Sequence, residues 1–145
     1  MKQSERRVFL IERLLREQNY RNEIPKSSVE QKRLLRSLMN LREPSPMDRE
    51  FLTIQDDYLR AETGERGITD LAGLTPAEDG IYLWQGDITT LRCDAIVNAA
   101  NAGMTGCYVP CHACIDNCIH TFAGIQLRQD CARLMERQGH EEPTG

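Results

Sequence analysis

The chain of 145 residues has no long apolar run near its start. MKQSERR is polar, and the longest early apolar stretch is VFLI, residues 8–11. A signal peptide needs an apolar segment of ~7–15 residues, and a membrane span needs ~20. No targeting segment and no membrane partner are therefore expected. The expected setting is cytoplasmic, where thiols stay reduced. A concentrated basic face is missing as well. Residues 1–60 hold 13 Lys+Arg against 10 Asp+Glu, a net +3, and residues 61–145 hold 5 against 12, a net −7. Mixed signs read as a solvated helical surface, not as a nucleic-acid footprint. Overall composition, 40% hydrophobic and 28% charged, is ordinary for a soluble protein, and the length suits one modest domain with a core.

Two styles of sequence divide the chain. Residues 1–62 carry apolar residues at helical spacing. Val8, Ile11, Leu14 and Leu15 form one stripe, ended from Asn19 to Pro25. Leu34, Leu35, Leu38 and Leu41 form a second, opened by the capping-box pattern Ser27-x-x-Glu30 and closed by Pro44 and Pro46. Phe51, Ile54, Tyr58 and Leu59 form a third, ended near Gly64. These stripes carry no chemical motif and read as core, in a packing or docking element spanning residues 1–75.

From Ile81 the pattern changes. Ile81–Trp84 reads as a short strand, followed by a Gly86-Asp87-Ile88-Thr89 loop. Asp94–Ala99 (DAIVNA) has the apolar centre of a buried strand. A Gly-containing loop over residues 100–113 leads into a helix over 115–123. Helical spacing then continues through Leu127, Cys131, Leu134 and Met135 to Gly139, a C-cap. Strands alternating with helices make residues 76–145 an α/β layered domain. No further strands follow before the last residues, PTG, so this reads as the front part of a longer protein.

What is abundant is locally concentrated: GCYVPCHACIDNCIH, residues 106–120, holds four cysteines and two histidines. Reduced thiols beside imidazoles point to a metal site or to catalysis. Zn²⁺ takes such ligands in tetrahedral array, filling four positions in structural sites and three in catalytic ones. His112 and Cys114 are two apart on a loop, and Cys107 can return to them across the turn made by Val109-Pro110. Spacing alone leaves a three-ligand site and a Cys-rich four-ligand site both open. It also leaves an iron–sulfur cluster on Cys107, Cys111, Cys114 and Cys118, although that spacing departs from the C-x₂-C-x₂-C-x₃-C run. Cysteine is also a small buried hydrophobe: Cys93, Cys118 and Cys131 read as core, Cys111 is ambiguous, and His120 reads as a structural histidine.

GDITTLRCDAIVNAAN, residues 86–101, resembles the start of a macrodomain, the ADP-ribose-binding α/β/α sandwich. The following GCYVPCHACIDNCIHTFAGIQLR, residues 106–128, resembles the zinc-containing macrodomains of microbial protein-ADP-ribose hydrolases, often found with a sirtuin-type ADP-ribosyltransferase and a lipoyl carrier protein. The resemblance covers residues 78–145 closely, and the helical extension is similar to that group too. It implies an α/β fold, the N-terminal part of a macrodomain sandwich preceded by an α-helical extension. It implies that Asp87 reads the adenine amino group with Ile88 beside it, and that Asn98 and Asn101 lie at the strand end, Asn101 toward the distal ribose. It implies Zn²⁺ on Cys107, His112 and Cys114, Asp116 as the catalytic carboxylate, and Asn117 near the same ribose.

The physical roles fit. A carboxylate accepts from an amino group, strand ends open onto α/β ligand crevices, and the helix starting near Ile115 can face diphosphate with its N–H groups. The implied activity is zinc-dependent removal of mono-ADP-ribose from modified proteins, on acidic side chains and with a lipoyl carrier protein as one substrate. Two rival readings are a non-catalytic ADP-ribose reader and a small protein in which zinc only holds a loop. Macrodomains also carry a second phosphate loop and further strands, which residues 1–145 do not contain. The chain by itself is therefore expected to be poorly stable and weakly active, with sheet edges unpaired.

Overall fold

A computed structural model describes residues 1–143, so the last two residues of the 76–145 segment lie outside the described residues. Three helices come first: α1 (Gln3–Glu17), α2 (Ser28–Leu41) and α3 (Arg49–Arg66). The three expected stripes face one another, except that Val8 of the first lies outside the buried cluster. Leu10, Ile11, Leu14 and Leu15 of α1 meet Leu35, Leu38 and Met39 of α2 and Phe51, Tyr58 and Leu59 of α3 in one buried cluster. Ile125, from a helix far along the chain, completes it. Leu41 falls at the edge of its stripe and is exposed.

The helix ends follow local chemistry, with two departures. The Asp48 carboxylate accepts the Phe51 N–H at 3.0 Å and caps α3. Ser27 is the N-cap of α2, but its side chain makes no capping bond, so the expected capping box does not form. Helix α3 also runs through Gly64 and ends at Gly67, whose φ of 88° suits a residue without Cβ.

After α3 the chain forms β1 (Thr69–Asp70) and β2 (Leu91–Arg92), paired in parallel with Thr69 opposite Leu91. The sheet is two-stranded, and β1 comes from the stretch read as the extension. Two short 3₁₀ turns, Leu71–Gly73 and Ile88–Thr90, lie between the strands. Helices α4 (Ile115–Ala123) and α5 (Ile125–Gln138) close the described chain. The 115–123 helix therefore has the bounds read from sequence. Gly139 ends α5 in the left-handed region, its N–H donating to Met135 O at 2.9 Å.

The two expected strands do not form. Ile81 makes only an isolated antiparallel bridge to Glu78, and Leu83 is 88% exposed. Asp94–Ala99 is irregular, with Val97 86% exposed. An apolar strand centre is held by neighbours that take its backbone groups and cover both faces. Among the described residues no strand lies beside this segment. The expected α5 stripe is displaced as well: Ile125 and Arg128 are its buried residues, while Leu134 is exposed. No helix among the described residues is long and apolar enough to cross a membrane.

Candidate functional site

The loop before α4 brings three expected ligands together. Cys107 Sγ, a ring nitrogen of His112 and Cys114 Sγ lie within 4.8 Å of one another, and Cys107 Sγ is 3.5 Å from His112 Nδ1. Bond lengths of about 2.3 Å to sulfur and 2.0–2.1 Å to nitrogen in a tetrahedron put ligand atoms ~3.5–3.8 Å apart. The donor set and its spacing thus fit a Cys₂His zinc site with one position left over. Cys111 and Cys118 point elsewhere: Cys111 Sγ approaches Arg33 O at 3.4 Å, and Arg36 Nη2 lies 3.5 Å from Cys118 Sγ. They do not join the ligand group, which favours the three-ligand arrangement over a four-cysteine cluster. All six cysteines are free thiols.

The loop is shaped from within. Gly106 has a φ of 84°, and a Cβ there would meet the His120 ring at 2.7 Å, so only glycine lets the chain pass the imidazole. Cys111 takes a positive φ of 55°, uncommon for a side-chain-bearing residue. Cys114 is the N-cap of α4, its sulfur accepting the Asn117 N–H at 3.4 Å. Burial pushes the Cys114 thiol up, the Asn117 N–H opposes this, and the neighbouring Cys107 sulfur and Asp116 carboxylate raise it further. Ligation needs the thiolate, so metal uptake here is coupled to proton release.

Asp116, in the first turn of α4, is 5% exposed. Asn98 Nδ2 donates to its Oδ1 at 2.8 Å, and His120 Nε2 sits 3.6 Å away, one helical turn on. Burial lowers the His120 pKa, and the Asp116 carboxylate only partly restores it, so the imidazole is held toward its neutral form. Asn98 Oδ1 and His120 Nδ1 are buried without a protein partner, and with the neutral imidazole turning its Nε2–H toward the carboxylate both are free acceptors. On sequence alone His120 reads as a structural histidine. The Asp116/His120 spacing of four on one helix was the signal that places it beside the carboxylate.

The remaining expected residues take different positions. Asn101 bridges the loop, its Nδ2 donating to Gly106 O at 3.3 Å and its Oδ1 accepting the Gly103 N–H at 3.1 Å. Asn117 is fully buried and internally engaged: Nδ2 donates to Cys107 O at 3.3 Å and to Val109 O at 3.0 Å, while Oδ1 accepts from Arg36 at 2.9 Å. Asp87 is exposed and accepts from Arg66 at 2.7 Å and from the Thr89 N–H and hydroxyl at 2.9 and 2.6 Å. Partial burial raises its pKa, but the Thr89 bonds and the Arg66 guanidinium outweigh that and hold the carboxyl below its ordinary value. Arg66 also stacks on Phe122 of α4 at 3.7 Å. That stack puts Asp87 by the far end of the helix that starts at the ligand loop. At 1.5 Å per residue, Asp116 and Phe122 are about 9 Å apart along the helix. Ile88, half-buried, opens the adjoining 3₁₀ turn.

Known proteins resemble this chain in sequence. Residues 97–145 match the Macro domain family. That match, with the parallel pairing of Thr69–Asp70 and Leu91–Arg92 ahead of it, is consistent with the α/β reading. Relatives cover more of it. The chain is 62% identical to a protein-ADP-ribose hydrolase of Treponema medium, over its whole length and 58% of that protein. It is 44% identical to a protein-ADP-ribose hydrolase of Staphylococcus aureus strain Mu50, over 94% of this chain and 52% of the relative. A probable bifunctional ADP-ribose hydrolase/ADP-ribosyltransferase of Fusarium oxysporum f. sp. cubense is 37% identical over 77% of this chain and 21% of its own. The chain thus spans about half the length of the first two relatives, and the similarity takes in the N-terminal helices as well as the residues that match the Macro domain family.

Proposed function

We propose that this chain carries the metal-binding loop and catalytic carboxylate of a zinc-dependent protein-ADP-ribose hydrolase. The observation that carries the reading is Asp116, buried two residues past the N-cap Cys114, held by Asn98 and preceded by a Cys₂His group of ligating geometry. The names and identities of the relatives support the same activity.

In this reading Asp87 receives the adenine amino group and Ile88 lines its pocket, while Asn98 and Asn101 lie along the distal ribose. Asp116, as general base, accepts a proton from water. The water oxygen then bonds to the anomeric carbon of the distal ribose as the bond from that carbon to the side-chain oxygen breaks. The products are free ADP-ribose and the restored protein carboxylate. Zn²⁺ on Cys107, His112 and Cys114, when bound, supplies Lewis acidity and a fixed point for a ribose hydroxyl or water. Asn117 serves by holding the loop. The substrates are proteins mono-ADP-ribosylated on acidic side chains, lipoyl carrier proteins among them, in a cytoplasm whose reducing potential keeps the ligand thiols free.

A mono-ADP-ribosylated protein incubated with zinc-loaded wild type and with Asp116→Ala tests the assignment. Wild type should release ADP-ribose. Asp116→Ala should lose turnover by roughly 100-fold or more and still bind ADP-ribose. Binding without turnover in wild type would make the chain a reader instead.

A further inference from the structure

The helical extension reaches the ligand loop through polar side chains on one face of α2. Arg36 Nη2 donates to His112 O at 2.7 Å and to Asn117 Oδ1 at 2.9 Å. One turn on, Asn40 Oδ1 accepts the Cys111 N–H at 2.9 Å, and its Nδ2 donates to Thr121 Oγ1 at 2.9 Å. Asn40 is 1% exposed, so both ends of its amide are spent inside the protein. Cys111 is the residue of positive φ immediately before the ligand His112. The bonds from α2 therefore fix the backbone on both sides of the Cys111–His112 peptide.

Asn117 relays the Arg36 contact to the other ligands. Its amide holds the Cys107 carbonyl, and its N–H meets Cys114 Sγ. Arg128 ties the frame from the α5 side: Nη1 donates to Asn40 O and Arg42 O at 2.7 Å each, and Nη2 to Cys107 O at 3.3 Å. Each of the three ligand residues is thus held, by its backbone or its sulfur, in a network that begins on α2. A loop of glycine and positive-φ residues has no repeating backbone bonds of its own to set where its side chains converge.

We propose that α2 is the outer frame of the metal loop, with Arg36 and Asn40 as positioning residues that hold Cys107, His112 and Cys114 in ligating geometry. This rests on the zinc reading above. The two residues touch neither metal nor substrate. They set ligand spacing, as outer-shell partners do at metal sites, where their loss typically costs 10–100-fold in metal affinity. The extension is then part of the active centre's architecture, and it acts from residues more than 65 positions upstream of the ligands.

The test uses the full chain loaded with Zn²⁺ or Co²⁺. Zinc release is followed with a chromogenic chelator, and ligand geometry by the cobalt–thiolate and d–d absorption bands. Arg36→Met and Asn40→Ala should release zinc roughly 10-fold or more faster than wild type and shift the cobalt bands. Leu38→Ala, on the core side of the same helix, should lower the melting temperature and leave release and bands at wild-type values. Unchanged release and bands in both polar variants, with metal bound by wild type, would overturn the positioning role alone. The same acceleration in Leu38→Ala would overturn it too, since general loosening would then explain it. A wild type that takes up neither ion overturns the zinc reading and this one together.

Discussion

Residues 3–66 and residues 76–100 solve opposite problems. The first region folds against itself: three amphipathic helices bury Leu10, Leu14 and Phe51 to 0–1% exposure. The second region is as apolar in places yet leaves Leu83 and Val97 almost fully exposed. A helix meets its backbone hydrogen bonds internally and needs only one stripe covered. A strand needs neighbours for both its backbone and its faces. Helical pattern was therefore sufficient in the first region, and strand pattern was not in the second.

The comparison breaks first at its strongest point. Phe51→Ala should cost about 3–5 kcal/mol by emptying the centre of the three-helix cluster, read as a drop in the urea midpoint at constant slope. Asn117→Ala comes next. It strips partners from Arg36, Cys107 O and Val109 O, and orphaned buried groups cost about 1–3 kcal/mol, so thermal melts should register a clear loss.

Acid should act through His120. Its folded-state pKa lies below the ordinary histidine value because of burial. Below about pH 6.5 the unfolded chain binds a proton that the folded chain refuses. Stability should then fall with decreasing pH, by at most about 1.4 kcal/mol per pH unit for this group, until the folded-state value is passed. His120→Gln should flatten denaturant midpoints measured between pH 7.5 and 5.5. Smallest of all, Leu83→Ser should change stability by less than about 0.5 kcal/mol. A loss of 2 kcal/mol or more would mean that Leu83 is covered after all, and the contrast between the two regions would collapse.

The stripes at residues 8–15, 34–41 and 51–59 were legible because their spacing is a local property. So were the 115–123 helix and the Gly139 cap. Cys107, His112 and Cys114 were read as a set and converge in space. Other features were not legible. Arg36 and Asn40 look like ordinary helix-surface residues until the fold brings them against Cys111, His112 and Asn117, more than 70 positions away. Arg128 fell between the members of an expected apolar stripe, and its burial beside Tyr108 and five backbone carbonyls depends wholly on tertiary contacts. Asp116 was readable as a carboxylate of interest, but its burial with Asn98 and His120 was not.

Elemental analysis of the purified wild-type chain, Cys107→Ser and Cys118→Ser tests the central claim most directly. The account predicts about one zinc per chain in wild type and in Cys118→Ser, and loss of the metal in Cys107→Ser, as a three-protein-ligand site requires. Equal zinc in all three proteins, or loss of metal in Cys118→Ser, would contradict the site.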